Sequence, residues 1–186
     1  MRLKLLFLLG LLLVLTTRAQ GGFRVIPGTE TLVEGGTVEK LTVVSGNFQY
    51  NIRPPKGWSC QADEAGHKVV FVNPSGRSAL AVQFTTNSPE KIPAEAVLRT
   101  QVLRAHPGAT VELYAVCSTN YRPGAYFDLM RVAAPGLVQR LRHAYVPQPA
   151  GQVEFILTAS DDEFALGAPV VMDMLRAFGV TPIKPK

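Results

Sequence analysis

The spacing of the hydrophobic residues is the feature that most constrains how this 186-residue chain can fold. Within 47–53, Phe48, Tyr50 and Ile52 alternate with polar residues, so their side chains share one face of a predicted β-strand. Further strands are predicted at 68–74, 78–86, 109–118, 125–133, 137–146 and 152–160. The chain is therefore expected to consist mainly of β-strands.

Two segments have a helical period instead. The first places an apolar residue on one helix face at every third or fourth position, at Ala94, Leu98, Val102 and Ala105. The second, near the C-terminus, does so at Val171, Met174, Leu175 and Phe178. In this second segment, Gly167 and Pro169 are expected to separate a short helix from a main one. Ser160 and Glu163 have the spacing of a helix capping box.

The order of these segments predicts an α+β fold with the sequence β-β-β-α-β-β-β-β-α. Short turns favour antiparallel neighbours, so we expect one antiparallel sheet of about six or seven strands covered by two amphipathic helices. The first three strands are predicted to form a meander. A single domain is expected over 46–180, with a short tail at 181–186. The Gly-rich segment 20–45 is predicted to be a loosely attached leader that includes one possible opening strand.

The N-terminus has the pattern of a secretory signal peptide over 1–19. Arg2 and Lys4 precede an apolar run over 5–15. Thr17 and Ala19 then place small residues at positions −3 and −1 of a cleavage site. The alternative is a signal anchor, but the run is about half the roughly 20 residues that span a membrane. After cleavage, no membrane span is expected. Loss of three basic residues lowers the formal net charge from +5 to +2, which argues against nucleic-acid binding.

The chain has two cysteines, Cys60 and Cys117. In an oxidising compartment, a disulfide between them is the natural pairing and would stabilise the fold by about 4 kcal/mol. The alternative is a pair of unbonded thiols that pack as small apolar side chains.

An unusual corner follows the first strand of the predicted domain. Pro54 and Pro55 cannot donate hydrogen bonds to a neighbouring strand, so the strand ends there. Gly57 permits a turn, and Trp58 can fold its large apolar area over the sheet edge. The four residues are therefore predicted to be structural, and ligand stacking on Trp58 is the alternative.

This corner and two wider patterns resemble the PsbP/Mog superfamily. They are the stretch "FQYNIRPPKGW" (48–58), the meander, helix, meander order, and the closing strands and helix over 139–178. The superfamily includes PsbP-like extrinsic proteins of photosystem II, Mog-type Ran-GTPase binding proteins and exported bacterial relatives of unknown role. The resemblance implies the α+β fold described above and a role in binding other proteins without catalysis.

The best candidate for a functional surface is the stretch "QRLRH" (139–143). Arg140 and Arg142 are two residues apart in a strand and share a sheet face, and Arg131 on the preceding strand is expected nearby. With His143, these residues are predicted to bind an acidic partner or an anion. The alternative is a solvated face whose cations pair with acidic residues of neighbouring strands, namely Asp128, Glu112 or Glu154.

Signatures of known chemistry are sparse. The histidines and cysteines lack the spacing of metal ligands, and the acidic stretch 160–163 lacks that of an EF-hand. No G-x-S-x-G, phosphate-binding or dinucleotide-binding motif is present. His67 and His106 lie beside predicted turns and are expected to be exposed. No metal site, cofactor or catalytic residue is predicted.

These observations predict an exported, non-enzymatic binding or assembly module. Its expected partner is another protein of the envelope or secreted fraction. One alternative is a carrier for a small apolar or anionic ligand in a cavity between helix and sheet, lined by Phe127, Phe155, Phe164, Met172 and Met174. The other alternative is an uncharacterised enzyme.

Overall fold

The computed structural model describes residues 22–86, 91–149 and 151–184, so the predicted signal segment lies outside the described residues. The strands are β1 (Arg24–Thr31), β2 (Thr37–Ser45), β3 (Phe48–Ile52), β4 (Ser59–Asp63), β5 (Lys68–Val72), β6 (Ser78–Thr86), β7 (Thr110–Cys117), β8 (Gly124–Ala134), β9 (Leu137–Gln148), β10 (Gly151–Ser160) and β11 (Gly179–Pro182). The helices are α1 (Glu95–Ala105) and α2 (Asp161–Ala177).

Seven of these strands form one antiparallel sheet in the order β4-β5-β6-β10-β9-β8-β7. The predicted α+β class, the sheet of about seven strands and the two helices are confirmed. Strand β4 was not predicted because its sequence, "SCQAD", contains no large apolar residue that would mark a strand.

A second, four-stranded sheet was not predicted. Its order is β1-β2-β3-β11, and all its pairs are antiparallel. The segment expected to be a loose leader thus contains two paired strands, and Phe23 before β1 is buried against Phe84. Pro27 and Gly28 interrupt the apolar pattern of β1, which is why the sequence did not mark it as a strand.

The prediction that the first three strands form a meander is wrong in one respect. Strand β3 pairs with β2 and β11, whereas the meander of the large sheet is formed by β4, β5 and β6. The corner containing Pro54 and Pro55 carries the chain from the small sheet to the edge of the large one. The two prolines end β3 because they cannot extend its hydrogen-bond ladder.

The larger hydrophobic core lies on one face of the seven-stranded sheet. Helix α2 and the four-stranded sheet both cover this face and bury the inward side chains of β5, β6 and β10, among them Phe71, Leu80 and Phe155. The alternation seen in the sequence supplies these residues, since every second side chain of each strand points to this side.

The smaller core lies on the opposite face of the same sheet, under α1. Leu98 and Val102 of the helix are fully buried against Phe127, Leu129 and Leu141 of the strands. The four-residue spacing of Leu98 and Val102 accounts for this contact, because it places both side chains on one side of the helix.

Helix α2 differs from its prediction in two ways. It continues through Gly167 and Pro169 as one helix, because its apolar face is buried without a break from Phe164 to Leu175. The expected capping box is also wrong, since Ser160 makes no side-chain cap bond. Glu163 instead accepts a hydrogen bond from the Ser78 hydroxyl at 3.0 Å.

Within the described ranges, neither helix has the length and apolar character that crossing a membrane requires.

Candidate functional site

The structure places the predicted cationic residues on β8 and β9 of the large sheet, but on two different faces. Arg140 and Arg142 of β9 share one face, as their two-residue spacing predicted, and this is the face that α2 covers. Arg131 and His143 lie on the α1 side, where they surround the end of that helix. The four side chains therefore do not form one cationic strip, because Arg131 and Arg140 have opposite strand parity across a paired register.

Arg142 is held by a buried ion pair. Its guanidinium contacts both carboxylate oxygens of Asp128 at 2.7 Å, and it donates a third bond to the carbonyl oxygen of Ala168 in α2 at 3.0 Å. The same group stacks over the Tyr126 ring, 4.5 Å from its centroid. Only 8% of Arg142 is exposed, so these contacts fasten β8 and β9 to α2 and leave little of it for a ligand.

Arg140 and Arg131 are also engaged but less buried. Arg140 forms an ion pair with Glu112 of β7 and lies 3.7 Å from Asp161 at the start of α2. On the other face, Arg131 donates two hydrogen bonds to the side-chain oxygen of Gln139, the longer at 3.0 Å. Each cation thus joins two neighbouring elements at the same end of the sheet.

His143 is the centre of a buried hydrogen-bonded chain under α1. Its Nε2 lies 2.7 Å from Glu154 of β10, and its Nδ1 lies 3.0 Å from Nε2 of His106 at the end of α1. With an Nε2–H tautomer, His143 donates to the Glu154 carboxylate and accepts from His106. The expectation that His106 is exposed is wrong: it is 9% exposed, because the turn after α1 folds onto the sheet.

Burial and hydrogen bonding set the protonation of His106 and Glu154 in this hydrogen-bonded chain. Burial lowers the pKa of His106 to about 4, and the neighbouring His143 and Arg131 act in the same direction. Burial opposes ionisation of Glu154, but hydrogen bonds from His143 and Gln152 outweigh it and lower the pKa of the carboxyl. At neutral pH, His106 is therefore neutral and Glu154 is charged.

Burial also opposes the ionisation of Tyr145 and Cys117. Tyr145 stacks on His143 at 4.3 Å, and burial raises the pKa of the Tyr145 hydroxyl. Burial also raises the pKa of the Cys117 thiol, which reduces its character as a nucleophile. Among residues 22–86, 91–149 and 151–184, no three His, Cys, Asp or Glu side chains are grouped to hold a metal ion.

The ends of β8 and β9 form a projecting ribbon. The anchored residues at its base are Arg131, Arg140, Arg142 and His143. The last pair between β7 and β8 is Thr110 with Met130, and the last between β10 and β9 is Ser160 with Gln139. Beyond these pairs, residues 131–138 pair only within the β8–β9 hairpin. At about 3.3 Å per residue, this β8–β9 ribbon extends roughly 13 Å past the end of β7 and roughly 10 Å past the end of β10.

The β8–β9 ribbon is apolar and exposed. Its sequence beyond Arg131, "VAAPGLV", contains no charged residue. Val132 is 67% exposed and Leu137 is 49% exposed. The predicted strands end at 133 and resume at 137, with Pro135 between them, but the sequence analysis did not identify these side chains as functional. The available signal was a hairpin turn flanked by apolar residues, where polar ones are usual.

The predicted corner lies between β3 and β4, and a groove lies beside it. Trp58 packs partly buried against the larger core, and Gly57 adopts a positive φ of 78° in the turn. A groove of about 380 Å³ separates the corner from α2 and is lined by Arg53, Pro54, Pro55, Lys56, Trp58, Val170, Asp173, Met174 and Ala177.

The predicted disulfide is absent, and both Cys60 and Cys117 are free thiols. Cys60 is in β4 and Cys117 is in β7, the two opposite edges of the seven-stranded sheet. Six inter-strand steps of about 4.8 Å place them roughly 29 Å apart, whereas a disulfide needs Cα atoms within about 7 Å. Strand order, which the sequence did not reveal, decides this point.

The residues suggested for a carrier cavity do not line one space. Phe127 is buried under α1, and Phe155 is buried under α2 on the other face of the sheet. Both are fully enclosed by core side chains, as is most of Met174. The five residues predicted to line a ligand cavity between helix and sheet therefore cannot all line the same cavity.

The likeness to known proteins is structural. No known protein-family profile matches the chain, and no curated protein sequence matches it significantly. The chain is similar in structure to cyanobacterial PsbP (CyanoP) from Synechocystis sp. PCC 6803, solved in solution, with a TM-score of 0.52 and 12% sequence identity. The match covers 83% of this chain and 92% of the cyanobacterial chain. The protein thus has a PsbP-like fold.

Proposed function

We propose that this protein is an exported, non-enzymatic module that binds another protein through the β8–β9 ribbon. The observation that carries the proposal is the combination of apolar side chains and projection in 131–138. In water, the exposed side chains of Val132 and Leu137 do not stabilise the ribbon. Burying either side chain in a partner contributes about 1.5 to 3 kcal/mol to the free energy of binding.

The anchored residues at the base support such a role. Arg131, Arg140, Arg142 and His143 are proposed to act as positioning residues that hold the ribbon at a defined angle. Their bonds to β7, β10 and both helices limit the motion of the ribbon, so little conformational entropy is lost when a partner binds. Arg140, with 31% of its side chain exposed, is the one best placed to touch an acidic group of the partner as well.

Export is supported by the signal pattern over 1–19, and a non-enzymatic role is the one that the resembled superfamily implies. The partner is therefore expected in the envelope or secreted fraction. Neither a cofactor nor nucleic acid is required for this role.

The test is site-specific photocrosslinking in cells of the source organism. A photoreactive phenylalanine analogue at Val132 or Leu137 is expected to capture the same partner protein. The matched control is Val33, which is fully exposed at the tip of the β1–β2 hairpin and should capture nothing in common. The double variant Val132→Ser/Leu137→Ser should then lower the affinity for the identified partner by at least about tenfold.

Three results would contradict the proposal: equal capture at Val33, adducts formed only with lipid, or unchanged affinity of the double variant. Export is tested separately, because retention of the chain in the cytoplasm would overturn that part alone.

The corner groove supports a second candidate function, the binding of a small amphipathic anion. The groove has an apolar wall formed by Trp58 and Met174 and an exposed cation, Lys56, at its rim. Because Trp58 is the only tryptophan of the chain, its fluorescence should report titration with decanoate. Decanol, which lacks the charge, is the control. No change at millimolar decanoate, or an equal change with decanol, would exclude this function.

A further inference from the structure

The two edges of the seven-stranded sheet differ in how they are protected from pairing. Edge strand β4 has five residues, and none of its side chains is a large exposed hydrophobe. Edge strand β7 has eight residues, with Leu113 44% exposed and Val116 66% exposed. An edge strand with exposed apolar side chains is a template for another strand.

The usual protective devices are weak or missing in β7. The strand contains no proline and no lysine or arginine. Its single charge, Glu112, is already paired with Arg140 of the same chain. A register irregularity between Val111 and Leu113 blunts only the first part of the strand, which leaves Leu113–Cys117 regular and open.

We propose that β7 pairs in antiparallel fashion with β7 of a second copy of this chain. A two-fold axis at Ala115 places Leu113 opposite Cys117 and Tyr114 opposite Val116. Directly opposed residues in an antiparallel pair point to the same face, and both members of each of these pairs share parity. Each exposed Val116 is thereby covered by a tyrosine ring, an aromatic to β-branched contact that favours sheet pairing.

The second copy is favoured by the self-complementarity of this register. Glu112 lies opposite Ser118 of the second copy, so no like charges face each other. The contact is isologous and closes as a dimer, since both chains use the same surface. Pairing β7 with β4 would be heterologous, and it would bring Val116 against a polar edge. The α1 faces of the two copies remain on the same side, and their β8–β9 ribbons point in opposite directions.

The test is sedimentation analysis of the purified protein over a concentration series, after expression of the full sequence. The weight-average mass is expected to rise toward twice that of one chain. Val116→Lys should keep the protein monomeric at all concentrations, because each of the two chains then places a charged lysine near the centre of the contact. Val97→Lys is the matched control: this valine is 49% exposed on α1 and lies outside the paired strand, so its variant should still dimerise.

The register is tested independently with Ala115→Cys in a Cys60→Ser background. Mild oxidation should link two copies through residue 115 and should do so much less for Val97→Cys. A wild-type chain that stays monomeric up to millimolar concentration would overturn the proposal, as would a dimer that Val116→Lys does not affect. A dimer linked at Val97 but not at residue 115 would overturn the register and the proposed contact with it. Circular dichroism of each variant confirms that it is folded.

Discussion

The two faces of the seven-stranded sheet are stabilised in different ways, and adjacent residues of β9 show the contrast. Arg142 points to the α2 face, where a charged pair is enclosed by a large apolar core. His143 points to the α1 face, where a smaller core is joined to a chain of uncharged and charged hydrogen-bonding groups. One face thus depends on a buried ion pair and close packing, and the other on a hydrogen-bonded chain that contains a neutral buried histidine, His106.

This difference indicates which part of the molecule responds to its surroundings. An arginine keeps its charge at any pH that the folded protein meets, whereas a neutral buried histidine is protonated as the pH falls. We therefore expect the α2 face to be sensitive to substitution, and the α1 face to be sensitive to acid as well.

The largest expected effect comes from breaking the charged pair of the α2 face. Asp128→Ala should lower the free energy of unfolding by about 3 to 5 kcal/mol, because it leaves the Arg142 guanidinium buried without its counter-charge. Chemical denaturation at pH 7 measures this loss.

The control is the ion pair between Arg140 and Glu112, in which both side chains are about one-third exposed. Glu112→Ala should change the free energy by about 1 kcal/mol or less. Replacing both members of the buried pair, as in Asp128→Leu with Arg142→Met, should recover much of the loss. Similar losses for Asp128→Ala and Glu112→Ala would show that the buried pair has no special role.

A smaller effect is expected on the α1 face and depends on pH. The pKa of His106 is about 4 when folded, against 6.5 for the free side chain, so the unfolded chain binds a proton first as the pH falls. The stabilising contribution of neutral His106 is therefore fully present above pH 6.5, and it is lost as the pH falls from there toward pH 4. His106 alone should account for a loss of about 2 kcal/mol between pH 7.5 and pH 5.

Denaturation of wild type and His106→Gln at both pH values measures this contribution. The variant keeps an amide donor toward His143 but cannot titrate, so its stability should change less between the two conditions. Glu154, whose pKa is lowered from 4.5, contributes mainly below pH 4.5 and leaves this interval almost unaffected. An equal pH dependence in both proteins would assign the loss to other groups.

The smallest effect concerns the close packing of α2. A Cβ atom at Gly167 would lie 3.1 Å from a methyl carbon of Leu157 in β10. Gly167→Ala should therefore destabilise the protein by about 1 kcal/mol, although alanine is favoured over glycine in a helix by a similar amount. Ala165→Gly, at an exposed position of the same helix, measures that preference alone. A gain in stability from Gly167→Ala would show that α2 can move away from β10.

The predictions from sequence were best where hydrophobic spacing is strong. The strands that contribute Tyr50, Leu80 and Phe155 were identified because the residues that alternate in the sequence also alternate between core and solvent. The segments missed, β1, β4 and β11, have few apolar residues or contain proline. Their place in a sheet depends on partners distant in sequence, which local pattern does not reveal.

The candidate site could be predicted only in part. The spacing of Arg140 and Arg142 correctly indicated a shared face. The sequence did not show that Arg131 lies on the opposite face of the sheet, or that His106 contacts His143. The β8–β9 ribbon was recognisable as a turn, yet its exposure depends on where β7 and β10 stop pairing.

The amino-acid sequence by itself determined the secondary-structure class, the two helical faces and the point where the proline corner ends a strand. These properties follow from local physics, namely the period of the apolar residues and the missing donors of proline. Only the tertiary structure decided the strand order, and with it the separation of Cys60 from Cys117, the two sheets and the open edge at β7. Strand order arises from pairing between distant segments, and many orders satisfy the same local pattern.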